Sequence, residues 1–272
     1  MKTEQLEALR KAWYQRTDVL YQIIEKSKYR ETTFIRVGVA HRCIKANAMR
    51  YMVSNFNRYH FLKEEFNLYH SLAHYPDLPM FSFNRFDKKP EMEKFNKEYI
   101  NYMTGFDLMI DIDNPDLSLA YSSAYKTKEI LDRYEIPYWL MFSGNKGFHF
   151  RVDYEDFPKE IKGLGFVSIA KLFKEFAERL KFIENIPDID LSVFDLRRVA
   201  KTPYSVVYPF YFIARPLSDE QFKDFKLIDC TIKHMMRGES ISDMRMNGVK
   251  KRTGKIGGIK QMFDYYMENG TN

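Results

Sequence analysis

The run Phe106-Asp107-Leu108-Met109-Ile110-Asp111-Ile112-Asp113, closed by Asn114-Pro115-Asp116, constrains this chain more than any other segment. Side chains of a strand alternate between its faces. Leu108, Ile110 and Ile112 therefore share one side, while Asp107, Asp111 and Asp113 share the other. Such a strand must cover its apolar face, and the sequence around it supplies the cover. Pro115 is read as opening a helix through Tyr134, and Pro137 precedes a second strand, Tyr138–Phe142. A tight turn, Ser143–Gly147, leads into a third strand, Phe148–Val152, and a helix is expected over Ile161–Phe182. Ile189–Val193 then reads as extended and Val206–Ala214 as an aromatic-rich strand. Upstream, apolar spacing predicts one helix over 4–28 and a strand over Thr32–Val39. Residues 42–72 read as mostly helical, and 76–90 as loop around one extended piece. Strands interleaved with helices and hairpins make a mixed α/β or α+β sheet domain.

Composition limits the function classes. At 272 residues and 45% hydrophobic content, the chain can bury one sizeable core or two small ones. No run of eighteen apolar residues occurs, so no membrane partner is expected. The first residues, Met1-Lys2-Thr3-Glu4-Gln5, lack an export signal's apolar stretch. Cys43 and Cys230 are isolated, which fits a reducing, cytoplasmic setting and offers neither a disulfide framework nor a structural zinc site. The net charge of +6 permits nucleic-acid binding without requiring it. Arg237, Arg245, Lys250, Lys251, Arg252, Lys255 and Lys260 cluster near the C-terminus among glycines 248, 254, 257 and 258. That segment is either a solvated tail or a phosphate-tracking arm.

Three elements could carry chemistry. Asp111 and Asp113 stand about 7 Å apart on one strand face, and a divalent cation with hard oxygen ligands offsets their repulsion best. In Ser143-Gly144-Asn145-Lys146-Gly147-Phe148-His149-Phe150, two glycines around a cation expose amide N–H groups suited to phosphate oxygens. His149 and Arg151 then share the polar face of the next strand. The third stretch offers Asp188, Asp190 and Asp195, followed by Arg197, Arg198 and Lys201, and Asp190 or Asp195 could complete the carboxylate set. Taken singly, each has an ordinary explanation: an acidic strand end, a surface hairpin, a charged loop.

Taken in this order and spacing, the elements resemble those of the archaeo-eukaryotic primase superfamily, in particular its catalytic small subunits. Asp111-Ile112-Asp113 resembles the first motif, hydrophobic-Asp-hydrophobic-Asp. Ser143-Gly144-Asn145-Lys146-Gly147-Phe148-His149 resembles the Ser-Gly-basic-basic-Gly-x-His nucleotide motif, with Asn145 at a usually basic position. Asp190 followed by Lys201-Thr202-Pro203-Tyr204-Ser205-Val206 is similar to the third, and its distance to that turn favours Asp190 over Asp195. Arg30-Glu31-Thr32-Thr33-Phe34 and the stretch from Pro209 to Phe225 extend the likeness to roughly residues 20–230. Val207 stands where the family usually has a histidine, and the family's zinc-binding insertion is missing, as in a compact phage or mobile-element relative.

The resemblance implies a primase-polymerase fold of mixed β-sheets with flanking helices and an RRM-like catalytic half. It implies a catalytic core over 1–230, with the N-terminal helix packed on it, and a basic C-terminal extension over 231–272. It implies a DNA primase or DNA-directed polymerase, a nucleotidyltransferase using two Mg²⁺ or Mn²⁺ ions on Asp111, Asp113 and Asp190. Ser143, Gly144, Lys146, Gly147, His149, Arg197, Arg198, Lys201 and Ser205 would bind the nucleotide. The implied partners are a single-stranded DNA template, NTPs or dNTPs, and replication or mobile-element proteins. Two other readings stay open: a nucleotide-sensing, single-strand-binding component of a replication or defence system with weak catalysis, and a metal-dependent phosphohydrolase or nuclease.

Overall fold

The computed structural model describes residues 3–36, 39–43, 66–76, 98–238, 241 and 256–269. Along the chain run α1 (Thr3–Gln15), α2 (Thr17–Lys26), β1 (Arg30–Arg36), β2 (Val39–Cys43) and β3 (Asn67–His74). There follow β4 (Leu108–Asp113), α3 (Leu117–Arg133), β5 (Trp139–Phe142), β6 (Gly147–Val152) and α4 (Phe166–Ile183). The last are β7 (Val199–Lys201), β8 (Val206–Val207), β9 (Phe212–Ile213) and α5 (Ile256–Asn269), with single-turn helices between. The chain divides into two compact units: residues 1–104, 199–215 and 224–245, and residues 105–198, 216–223 and 246–272.

In the first unit β1 pairs antiparallel with β2 and β3, and β3 pairs antiparallel with β7. The helical reading of 42–72 fails at both ends that the structure describes, since β2 and β3 are strands. Leu72 and Ala73 suit a helix, but β3 has a strand on either side, and ladder pairing outweighs that weak local preference. The remainder of that expected helix, all but Pro76 of the loop expected over 76–90 and the basic cluster from Arg245 to Lys255 lie outside the described residues.

The helix expected over 4–28 is two helices. Arg16 is extended between them (φ −69°, ψ 125°), and its guanidinium lies 2.6 Å from the Asp18 carboxylate. Asp18, in the first turn of α2, also accepts the Val19 N–H at 2.9 Å. Trp13 and Tyr14 anchor α1: the indole N–H donates to Tyr204 O at 2.8 Å, and the Tyr14 hydroxyl accepts the Val206 N–H at 2.8 Å. The strand expected over Val206–Ala214 is a short antiparallel pair, β8 with β9. Pro209, which has no N–H, and Tyr211, with φ 56°, turn the chain between them.

The second unit places the acidic strand at the centre. β4 pairs antiparallel with β6, and β6 with β5. On the far side of β4, Ile189 forms a bridge opposite Ile112. On the far side of β5, the Leu217 N–H donates to Leu140 O at 2.9 Å. From β4 to Ile189 the order is strand–helix–strand–strand–helix–strand, with the last strand beside the first, the split βαβ arrangement expected of an RRM-like half. Its apolar face carries Leu108, Ile110, Ile112, Leu140, Phe142, Phe148, Phe150 and Val152, all at most 2% exposed. α3 and α4 supply the cover: Tyr121 of α3 meets Phe148 edge-on at 6.0 Å, and Phe173 of α4 stacks on Phe106 at 6.1 Å.

Local chemistry moves several expected boundaries. α3 starts at Leu117, not Pro115, because Asp116 is its cap and accepts the Ser118 N–H at 2.8 Å. The helix expected from Ile161 is a short turn, Lys159–Lys162, then α4 from Phe166, with Gly163 and Gly165 at the break. Ile189–Val193 is extended only at its start and becomes a single 3-10 turn at Leu191–Phe194. α5 packs on α4 through Phe263 and Phe176, stacked at 4.4 Å, and Arg179 donates to Met267 O at 2.6 Å.

Candidate active site

Strand register builds the site. His149 on β6 is the cross-strand neighbour of Asp111 on β4 and of Met141 on β5. On the opposite edge of β4, Asp190 N–H donates to Asp111 O at 2.8 Å and Asp113 N–H donates to Asp188 O at 2.9 Å. Asp190 and Asp111 are thereby brought side by side, though 79 positions separate them in sequence. Asp113 neighbours Gly147, the last residue of the glycine turn. That turn is closed by a Ser143 N–H bond to Gly147 O at 2.9 Å, with Gly144 in the left-handed region at φ 82°. A Cβ on Gly147 would stand 1.8 Å from Ile112 O, so only glycine allows β6 to approach β4 there.

Each of the three carboxylates faces a basic side chain. Lys146 Nζ is 2.9 Å from Asp113, His149 Nε2 is 3.5 Å from Asp111, and Arg198 Nη2 is 3.7 Å from Asp190. Asp190 also accepts the Ser192 N–H and hydroxyl at 2.8 and 2.9 Å, which caps the 3-10 turn. The three do not form a closed chelate with all ligand oxygens within 4.8 Å of one another. Burial, with the charges of Asp113 and Asp190 added, pushes the Asp111 carboxyl up to about 7. Its neighbour Lys146 is held charged above the ordinary lysine range by the hydrogen bond to Asp113. Around Asp111 the repulsion of Asp113 and Asp190 is opposed by Arg198 and Lys146. Clustered hard oxygen donors suit Mg²⁺ or Mn²⁺, so the residues fit the implied ions.

The other candidate residues divide between the two units. Ser143, Gly144, Lys146, Gly147, His149, Arg197 and Arg198 belong with the three aspartates to the second. Lys201 and Ser205 belong to the first. There the Lys201 ammonium donates to the Tyr69 hydroxyl at 2.7 Å and lies 4.4 Å above that ring, and burial brings its pKa down to about 8. Ser205 is fully buried and its hydroxyl donates to Thr202 O at 2.6 Å.

The acidic residues near Asp190 are not equivalent. Asp195 is exposed and accepts the Arg197 N–H at 2.7 Å, a turn within its own loop. Asp188 is taken up by Asn114 and Ser123, which donate to its two oxygens at 2.7 and 2.5 Å. Farther along the sheet Arg151 sits 3.5 Å from buried Asp107 and 3.6 Å from Asp153. The sequence alone does not distinguish Asp188 from Asp190, nor pair Tyr69 with Lys201. Beside its distance to the Lys201 turn, a further signal for Asp190 is Ser192, which suits an aspartate cap two residues earlier.

No family model matches the chain, and no curated protein is significantly similar to it in sequence. Among solved structures it is similar to the polymerase domain from Mycobacterium tuberculosis ligase D in complex with DNA, with a TM-score of 0.52 and 11% identity. The match covers 87% of this chain and 91% of that one. Among the described residues no helix is long and apolar enough to cross a membrane. The likeness extends over most of both chains, and the chain shares the fold of that polymerase domain.

Proposed function

We propose that the protein is a template-directed nucleotidyltransferase, a primase-polymerase that makes or extends primers from NTPs or dNTPs. The observation that carries this reading is Asp190 hydrogen-bonded beside Asp111, with the glycine turn at Asp113, on one RRM-like sheet. Asp111, Asp113 and Asp190 would hold two divalent cations. Those ions, when bound, supply a lowered pKa for the attacking hydroxyl and neutralise the charge of the leaving pyrophosphate.

The remaining chemistry belongs to the chain. Ser143, Lys146 and the N–H groups of the Gly144–Gly147 turn bind phosphate oxygens next to Asp113. Lys146 exchanges its bond to Asp113 for one to phosphate as the nucleotide enters. Arg198, beside Asp190, adds charge around the same pocket, His149 is fixed beside Asp111, and a part for Arg197 rests on the sequence motif. A 3′-hydroxyl oxygen bonds to the α-phosphorus as its proton passes to solvent, the bond from the α-phosphorus to the α–β bridging oxygen breaks, and pyrophosphate leaves with that oxygen and the electron pair. For Lys201 and Ser205 a part in nucleotide binding rests on the sequence motif.

Incubation of the purified chain with a primed single-stranded DNA template, nucleotides and Mn²⁺ tests the reading. Wild type extends the primer, and the Asp111→Ala, Asp113→Ala double variant does not. No extension by wild type with any metal and nucleotide, or full activity of the double variant, contradicts it. The basic side chains held against the three carboxylates favour one alternative, a site that senses nucleotide without transfer. That alternative predicts triphosphate binding and salt-sensitive affinity for single strands with no pyrophosphate released.

A further inference from the structure

Asp188 has no place in the proposed transfer, yet it accepts three hydrogen bonds in the segment that matters most to it. Its carbonyl accepts the Asp113 N–H at 2.9 Å, and the next residue but one, Asp190, donates its own N–H to Asp111 O at 2.8 Å. Its side chain accepts Asn114 Nδ2 at 2.7 Å on one oxygen and Ser123 Oγ at 2.5 Å on the other. Asn114 follows Asp113 directly and Ser123 lies on the buried face of α3. One carboxylate thus ties the Asp190 segment to the end of β4 and to the helix behind it. From the other side Lys181 of α4 donates to Ile189 O at 2.8 Å.

A strand that pairs through a single bridge has little ladder to fix its register. Displacing it by one residue would swap Asp190 for Ile189 or Leu191 beside Asp111. A bidentate acceptor held by two donors on two different elements removes that freedom.

We infer that Asp188 is a positioning residue that sets the register of the Asp190 segment and so the affinity of the three-carboxylate site for divalent cation. The inference rests on the metal-dependent reading of that site. It acts through backbone and neighbouring side chains: Asp188 itself need touch neither cation nor nucleotide. An amide at this position keeps the shape but presents an NH₂ to one of two donors, loosening the clamp while leaving Asp111, Asp113 and Asp190 intact.

The test is Mn²⁺ binding to the full chain, read from the free-Mn²⁺ paramagnetic resonance signal, for wild type, Asp188→Asn, Ser123→Ala and the Asp111→Asn, Asp113→Asn double variant. Partners that orient metal ligands commonly contribute about tenfold in affinity. Asp188→Asn is therefore expected to bind Mn²⁺ about tenfold more weakly, with primer extension recovered at high Mn²⁺ and nucleotide KM at saturating metal unchanged. Should Asp188→Asn fail to fold, Ser123→Ala removes one donor only and is expected to weaken Mn²⁺ binding by less than Asp188→Asn would, but measurably. If wild type binds Mn²⁺ through Asp111 and Asp113 while the folded Asp188 or Ser123 variant binds equally well, the positioning role is overturned and the site reading stands. If wild type binds no Mn²⁺, both fall.

Discussion

Asp111 stores a measurable conflict. Burial and two neighbouring carboxylates push it up to about 7 from an ordinary 3.8, so the folded chain holds a proton there that the unfolded chain releases. Stability from this group is complete below pH 3.8 and is lost as pH rises through 7. Between pH 5 and pH 8 the folded state keeps the extra proton over about two pH units, at about 1.4 kcal/mol each, a loss of about 3 kcal/mol. Asp111→Asn cannot ionise and escapes that loss. In excess chelator at pH 8 the variant should therefore melt higher than wild type, while at pH 5 the two should lie much closer. For a chain of this size about 3 kcal/mol corresponds to roughly 5–10 °C. The quantity to read is the variant-minus-wild-type Tm difference at pH 8 less that at pH 5, which cancels the generic effect of the substitution. Adding Mn²⁺ at pH 8 should raise the Tm of wild type and leave the variant nearly unmoved. A difference independent of pH would refute the placement of Asp111 among competing carboxylates.

Further expectations follow from single contacts. Gly147→Ala drives a Cβ to 1.8 Å from Ile112 O and should cost on the order of 3 kcal/mol or more, seen as lost soluble yield or a collapsed Tm. A wild-type Tm would show that β6 does not approach β4 so closely. Lys201, brought down to about 8 by burial, should show a labelling midpoint near pH 8 with an amine-acylating reagent, slowed by nucleoside triphosphate. A midpoint near the ordinary lysine value would contradict its burial. Arg179→Ala removes the donor to Tyr266 O and Met267 O, costing about 1–2 kcal/mol and opening residues 256–269 to limited proteolysis. Unchanged cleavage there would argue against the docking of α5.

Where alternation was strong, sequence and structure agree: the faces of β4 and β6, and the glycine turn between β5 and β6, follow from residue type. β3 did not announce itself, because Leu68, Leu72 and Ala73 suit a helix, and only flanking strands make Asn67–His74 extended. The break at Arg16 hides within a continuous helical pattern, since the Arg16–Asp18 pair resembles any surface charge pair until seen bending the chain. In Pro187-Asp188-Ile189-Asp190 two aspartates have the same spacing as Asp111 and Asp113, yet one closes a structural clamp and the other stands beside Asp111. Long-range hydrogen bonds make that distinction, and no local pattern encodes them.

The most direct test of the whole account is anomalous diffraction from crystals of the chain grown with Mn²⁺ and a non-hydrolysable nucleoside triphosphate. The account predicts manganese peaks in contact with Asp111, Asp113 and Asp190, with the triphosphate against the Ser143–Gly147 turn. Nucleotide bound with manganese absent from those three carboxylates would contradict it.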